Sequence, residues 1–260
     1  MYIKPYDELT IQDNFIFQKV MRNKRICKQT IERLLDIDIK DISYPEEEKS
    51  INVRLDSKSI RLDVYVNDDR GTVFNIEMQT TKDMDELVKR TRYYQGLIDI
   101  DNIEKGQNYS ALHDTYIIFI CTFGVFTGKR HKYTFRNLCI EDNEILLNDG
   151  TAKLFLSTKG EADDVSKPLK MFLDYVDGKK PEDALMQEID HEVDTVKHCD
   201  EWRRDYMTLA LEMDKKWREG KAEGKIEAIR NAIKDGLTTL AAVKKSGRYT
   251  EEEIAAIAAP

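Results

Sequence analysis

The sequence predicts an α/β fold: a mixed sheet followed by a helical C-terminal extension. Three observations predict it. Residues 60–67 and 72–79 each alternate apolar and polar side chains around a short turn, the pattern of a two-stranded hairpin. Residues 83–104 read as a helix, with acidic residues in its first turn and Asp85/Lys89 and Glu86/Arg90 at helical spacing. Residues 115–122 form an unbroken apolar, β-branched and aromatic run, which marks a strand covered on both faces. With a helix and a further strand before the hairpin, the order is αβββαβ. A hairpin followed by a crossover helix and a buried strand requires both antiparallel and parallel pairing.

The elements follow in order. Residues 12–35 are expected to be helical, with Phe15, Val20, Ile31, Leu34 and Leu35 facing the core, and residues 50–55 to form a strand. In the hairpin, Ile60, Leu62, Val64 and Val66 make one apolar face, and Phe74, Ile76 and Met78 continue it. Arg61, Asp63 and Tyr65 oppose Asn75, Glu77 and Gln79 on the polar face, so both strands are expected to be half-buried. A one-residue slip would turn an apolar face into water. The tightest register that avoids this leaves Asp69-Arg70-Gly71 as the loop, with Gly71 left-handed. It sets Asp63 against Glu77, Arg61 against Gln79 and Tyr65 against Asn75.

Residues 133–156 supply further strand pieces, with turns at 141–143 and 148–150, and residues 168–175 begin a helical region. Gly178-Lys-Lys-Pro181 marks a break, and from about Glu188 the chain becomes long, charged helix. There Tyr206, Ala210, Met213, Trp217, Gly220 and Gly224 follow a 4-3-4-3-4 spacing, the narrow seam of a helix pair. Thr250-Glu-Glu-Glu253 is a capping box. Residues 1–180 are expected to form the main domain. Residues 181–260 form a helical extension that either tethers or oligomerises the chain, or folds back on its own core.

Composition narrows the function. The chain of 260 residues carries a net charge of −8, which argues against a surface coated for phosphate binding; basic clusters at 19–28, 89–92 and 129–136 still leave room for a local nucleic-acid site. No apolar run approaches the roughly 18–20 residues that span a bilayer, and no signal-peptide core opens the chain. Cys27, Cys121, Cys139 and Cys199 lack paired metal spacing and read as reduced thiols, so a cytoplasmic protein without membrane partners is expected. Directly opposed carboxylates at Asp63 and Glu77 repel unless a cation lies between them; their oxygens suit a hard divalent ion. A charged, solvated sheet face is the other reading, in a chain that is 35% charged.

The order of elements, together with Arg61-Leu-Asp-Val64, Asn75-Ile-Glu-Met-Gln79, Lys89-Arg-Thr-Arg-Tyr-Tyr-Gln95, Tyr116-Ile-Ile-Phe-Ile-Cys121 and the early Asp13-Asn-Phe15, resembles the PD-(D/E)XK nuclease superfamily. Within it, the chain is similar to the recombination-promoting nuclease and transposase family over about residues 8–160. The resemblance implies a restriction-endonuclease-like mixed sheet and a metal-dependent DNA endonuclease serving recombination, transposition or mobile-element defence. Asp63 and Glu77, with the backbone carbonyl of Met78, would hold Mg²⁺, with Mn²⁺ or Ca²⁺ as substitutes, and Gln79 would complete the catalytic set. Arg61, Arg92, Tyr93 and Gln95 would contact DNA, and Asp13 is an additional acidic candidate whose alternative is a helix-terminal charge. Arg90 reads as a phosphate clamp or as the ion-pair partner of Glu86. Two departures stand out: no proline precedes Asp63, and Gln79 occupies a position where many members have lysine. An amide cannot exchange a proton at neutral pH, which leaves open a catalytically weak binding scaffold of the same fold.

Overall fold

The computed structural model describes residues 2–43, 46–51 and 60–259, without the side chains of 46–48. The described chain divides into two compact units: residues 7–199 in one, residues 200–259 together with residues 2–6 in the other.

The larger unit is a six-stranded mixed sheet in the order β1-β2-β3-β4-β6-β5. Its strands are β1 (Glu46–Ile51), β2 (Ile60–Asn67), β3 (Val73–Gln79), β4 (Thr115–Cys121), β5 (Lys132–Phe135) and β6 (Thr151–Ser157). β1, β2 and β3 are antiparallel neighbours, β3-β4 and β4-β6 are parallel, and β5 returns antiparallel on β6. The parallel β3–β4 step is made by α3 (Met84–Asn102), started by Asp83, whose side chain accepts the Glu86 N–H. The mixed sheet expected from the sequence is present. Part of the strand expected at 50–55 lies outside the described residues.

The hairpin register is the expected one: Tyr65 pairs with Asn75 and Asn67 with Val73. The turn closes by Asp68 N–H to Thr72 O at 3.0 Å, with Gly71 at φ +86°. A Cβ at Gly71 would also stand 2.6 Å from His113 Nδ1, so two constraints hold glycine there.

Two expectations need correction. The helix expected over 12–35 is two helices, α1 (Asn14–Met21) and α2 (Lys24–Leu35). The chain turns at Arg22-Asn23, where the Asn23 side chain accepts the Ile26 N–H and starts α2. The hairpin strands are also not half-buried. Tyr65, Asn75 and Glu77 are as buried as the apolar positions, because α3 covers that face while α1 packs on β2 and β3. Ile60 and Leu62 lie in one apolar cluster with Tyr65, Val73, Ile117, Phe119 and the α3 residues Leu87 and Tyr94.

Two further helices complete this unit. α4 (Lys167–Val176) is capped by Ser166, and α5 (Ala184–Lys197) is capped by Asp183. α5 packs on α1 and α2, and Arg33 pairs with Asp183 at 2.7 Å. Cys27, on α2, is fully buried, and burial pushes its thiol up to about 12, an unreactive state.

The smaller unit holds α6 (Asp200–Lys234), α7 (Leu240–Lys245) and α8 (Glu251–Ala258). α8 carries the expected Thr250/Glu253 capping box and packs on α6, with Lys225 pairing to Glu253 at 3.0 Å. Tyr206 donates its hydroxyl to Lys4 O at 2.7 Å and packs against Tyr6. No residue of α6 is fully buried. Among the described residues, no helix is long and apolar enough to cross a membrane.

Candidate metal-binding active site

The registered β2–β3 ladder runs from Asn67–Val73 to Val64–Ile76. At the next rung, two carboxylates take up backbone groups. The Asp63 N–H donates to Glu77 Oε1 at 3.1 Å, and the Met78 N–H donates to Asp63 Oδ2 at 3.1 Å. Asp63 and Glu77 thus stand together, as the register requires. They are joined through each other's strand rather than by direct contact of like charges.

A different helix supports each carboxylate. From α1, Gln18 Nε2 donates to Asp63 Oδ1 at 2.9 Å. From α3, Arg90 Nη2 donates to Glu77 Oε2 at 3.2 Å and Arg90 Nη1 to Gln79 Oε1 at 3.2 Å. Arg90 Nη2 also donates to the Tyr94 hydroxyl at 2.8 Å, and its guanidinium lies 5.4 Å from the Phe119 ring centroid. The Asn75 amide nitrogen, in the orientation its surroundings require, faces Glu77 Oε1 at 3.2 Å and Val64 O at 3.3 Å.

Burial dominates the electrostatics. Asp63 is 6% exposed and Glu77 2%. Loss of water pushes the Asp63 carboxyl up to about 6, although Gln18 and the Met78 amide favour its ionised form. Glu77 is pushed well above the ordinary carboxylate range, first by burial and then by the charge on Asp63. Arg90 bonds Glu77 directly, while the charges of Arg90 and Arg61 favour the ionised form of Asp63 through space. Each carboxylate oxygen has lone-pair capacity beyond the bonds described. Two neighbouring, desolvated carboxylates fit a hard divalent cation, which needs one or two protein carboxylates beside water and phosphate. Among the described residues, no group of three or more His, Cys, Asp or Glu is placed to hold a metal ion, so the acidic donors here are the pair.

The other expected site residues fall in different places. Gln79 ends β3, with its side-chain oxygen held by Arg90 and its backbone oxygen accepting from Thr122 N at 3.0 Å. Arg61 on β2 and Arg92 and Tyr93 on α3 are exposed. Gln95 is buried, with Nε2 donating to Asp99 Oδ1 at 2.8 Å and Oε1 without a hydrogen-bond partner. Asp13 precedes the first residue of α1, and its carboxylate accepts the Thr10 N–H at 2.7 Å.

Gln18, Arg90 and Tyr94 shape the site more than the sequence suggests. Gln18 is 4% exposed between Phe17 and Val20, and a polar residue on the buried arc of a helix was the available signal. Arg90 has a helical-spacing neighbour in Glu86, but its ion pair is with Glu77 across the sheet. Only the fold brings that partner within reach.

No curated protein and no solved structure matches the chain. The family described as PD-(D/E)XK nuclease family transposase matches residues 14–157. That span runs from the start of α1 to the end of β6 and contains both carboxylates and both supporting helices. It takes in more than half of the sequence, and the chain belongs to the PD-(D/E)XK nuclease family transposases.

Proposed function

We propose that this chain is a cytoplasmic, Mg²⁺-dependent DNA endonuclease that hydrolyses phosphodiester bonds in recombination, transposition or mobile-element defence. One observation supports the reading: two adjacent buried carboxylates, Asp63 and Glu77, each accepting a backbone amide from the other's strand. Asp63, Glu77 and the Met78 carbonyl would hold the cation. Once bound, it would polarise the phosphodiester and lower the pKa of an attacking water. Gln18 and the Met78 amide aim Asp63, and Arg90 aims Glu77 and Gln79. Gln79 can donate its amide N–H to a phosphate or a water, but it cannot take the proton from that water. Arg61, Arg92 and Tyr93 give the approaching backbone cationic and aromatic contacts. Gln95 and Asp13 are support residues in this reading. Of the 181–260 stretch, the part from residue 200 onward serves as a tether or as an assembly element between copies, since α5 packs on α1 and α2 in the larger unit.

Incubating DNA with and without Mg²⁺ tests the reading. Wild type is expected to nick or cut, and Asp63→Ala and Glu77→Ala to leave DNA intact. Equal cleavage by all three proteins would reject the assignment. A second reading, a binding scaffold with little chemistry, is favoured by Gln79, whose oxygen is already committed to Arg90. It predicts Mg²⁺-independent DNA binding with no cleavage by wild type.

A further inference from the structure

Beside Arg90 runs a groove of about 370 Å³, lined by Arg61, Glu86, Lys89, Arg90, Tyr93 and Tyr94. Its floor and wall come from consecutive turns of α3. Residues 86, 89 or 90, and 93 or 94 follow one another on one helix face at spacings of three and four. Arg90 and Tyr94 lean to the sheet side, where Tyr94 is buried and Arg90 bonds Glu77. Tyr93 stands outside them and is 39% exposed. The groove therefore brings together a guanidinium bonded to one carboxylate of the pair and a partly exposed aromatic ring, with Arg61 and Lys89 also lining it.

Cationic side chains interleaved with an exposed aromatic ring suit a single nucleic-acid strand. Cations track phosphates, while every base offers a flat face to an aromatic side chain. Glu86 adds an acceptor for an exocyclic amine at the same wall. A base inside a continuous duplex has both faces occupied by its neighbours, so it cannot also stack on Tyr93 without leaving the helix.

The geometry points to this groove as a pocket for one unpaired nucleobase flanking the scissile phosphate, with Tyr93 as the stacking platform. The preferred substrate is then DNA with a single-stranded, flapped or flipped nucleotide rather than continuous duplex. This rests on the nuclease reading above for the nature of the ligand, but its test does not depend on cleavage.

The test is fluorescence anisotropy in chelator, comparing a single-stranded oligonucleotide, the same sequence as duplex, and that duplex with one unpaired nucleotide. Wild type is expected to bind the first and third more tightly than the second. Tyr93→Ala is expected to weaken binding to those two by about tenfold more than it weakens binding to the duplex, the scale of one base–aromatic stack. Tyr93→Phe should retain the preference, because the ring and not the hydroxyl is needed. A 2-aminopurine at the unpaired position should be quenched by wild type and Tyr93→Phe but not by Tyr93→Ala. Equal losses on all three DNAs, or no loss in Tyr93→Ala, would overturn the pocket while leaving the nuclease assignment untouched. Conversely, full cleavage by Asp63→Ala would remove the nuclease assignment without altering the Tyr93 comparison.

Discussion

Asp63 and Glu77 hold each other's strand: the Asp63 amide donates to Glu77 Oε1, and the Asp63 carboxylate accepts the amide of Met78, the residue after Glu77. The pair is therefore structural as well as acidic, and alanine at either position removes charge and orphans a buried amide together. An unsatisfied buried donor costs about 1–3 kcal/mol. Asp63→Asn and Glu77→Gln separate the two effects, because each keeps an acceptor oxygen while deleting the charge. Wild type is expected to show Mg²⁺ binding heat by isothermal calorimetry, and both variants are expected to fold and to lose it. Wild-type binding heat in either variant would place the cation elsewhere.

The acid pair also sets a pH dependence in the metal-free protein. Burial holds the Asp63 carboxyl at about 6, above the ordinary 3.8, and Glu77 moves in the same direction. Between the unfolded and folded values the folded chain carries the extra protons, so this contribution to stability is complete at low pH and fades as pH rises through the folded values. A shift of that size in Asp63 corresponds to about 3 kcal/mol. In chelator, the melting temperature of wild type is expected to fall relative to Asp63→Asn between about pH 4 and pH 7. Mg²⁺ should remove that fall, because ligation requires the deprotonated form. A difference that stays constant across this range would contradict the burial argument.

Arg90 is the counter-charge for Glu77, at 3.2 Å, with its side chain 24% exposed and that of Glu77 2%. Removing one partner of such a pair leaves a buried charge exposed to no solvent, at a cost of about 3–5 kcal/mol for fully buried cases and less here, where the guanidinium is partly wet. Arg90→Gln is expected to lower the urea midpoint at neutral pH, and the loss should shrink in acid as Glu77 takes up a proton. Arg90→Lys restores the charge but cannot bridge Glu77 and Gln79 with one planar fork, so only part of the loss should return. A pH-independent loss in Arg90→Gln would mean that Arg90 stabilises the fold more by packing on Phe119 and Tyr94 than by its charge.

The hairpin shows which parts of the fold were legible from sequence. Period-two alternation and the Gly71 turn fix the 67–73 pairing, because slippage would expose Val66 or Phe74. The same alternation gives no warning that the polar face is covered. Asn75 is fully buried because α3 crosses that face, and helix placement is a tertiary fact. The break at Asn23 was readable as an N-cap but was hidden by continuous apolar spacing on both sides. Arg90 shows the limit most clearly: its sequence neighbour Glu86 is a reasonable partner, and only the sheet reveals the better one.

Gln18 gives a direct test of the support from α1. Its amide donates to Asp63 Oδ1 at 2.9 Å, while the other carboxylate oxygen accepts the Met78 amide. Outer hydrogen bonds of this kind typically tune metal affinity by about 10–100-fold. Gln18→Leu, close in volume, should weaken Mg²⁺ binding within that range while changing the melting temperature much less than Arg90→Gln does. Gln18→Glu should weaken it further at neutral pH, since a third carboxylate would repel the pair before the cation arrives. Unchanged Mg²⁺ affinity in Gln18→Leu would show that Asp63 is oriented by the Met78 amide alone.

The exposed length of α6 carries the last prediction. Tyr206 and Ala210 of its apolar seam are partly covered, but Met213 and Trp217 remain exposed and Gly220 and Gly224 have nothing near their Cβ positions. A long helix without a buried residue gains little from packing on its own chain, and the seam's spacing suits a second copy. Trp217→Glu in the full chain is expected to lower the mass measured by light scattering, without altering the melting of the 7–199 unit. Gly220→Ala and Gly224→Ala separate the two roles of the glycines. In a lone helix each should stabilise by about 1 kcal/mol, whereas a closely apposed partner helix would be pushed away. Higher helicity together with weaker assembly would support pairing at this seam. Higher helicity with unchanged mass would reduce α6 to a tether.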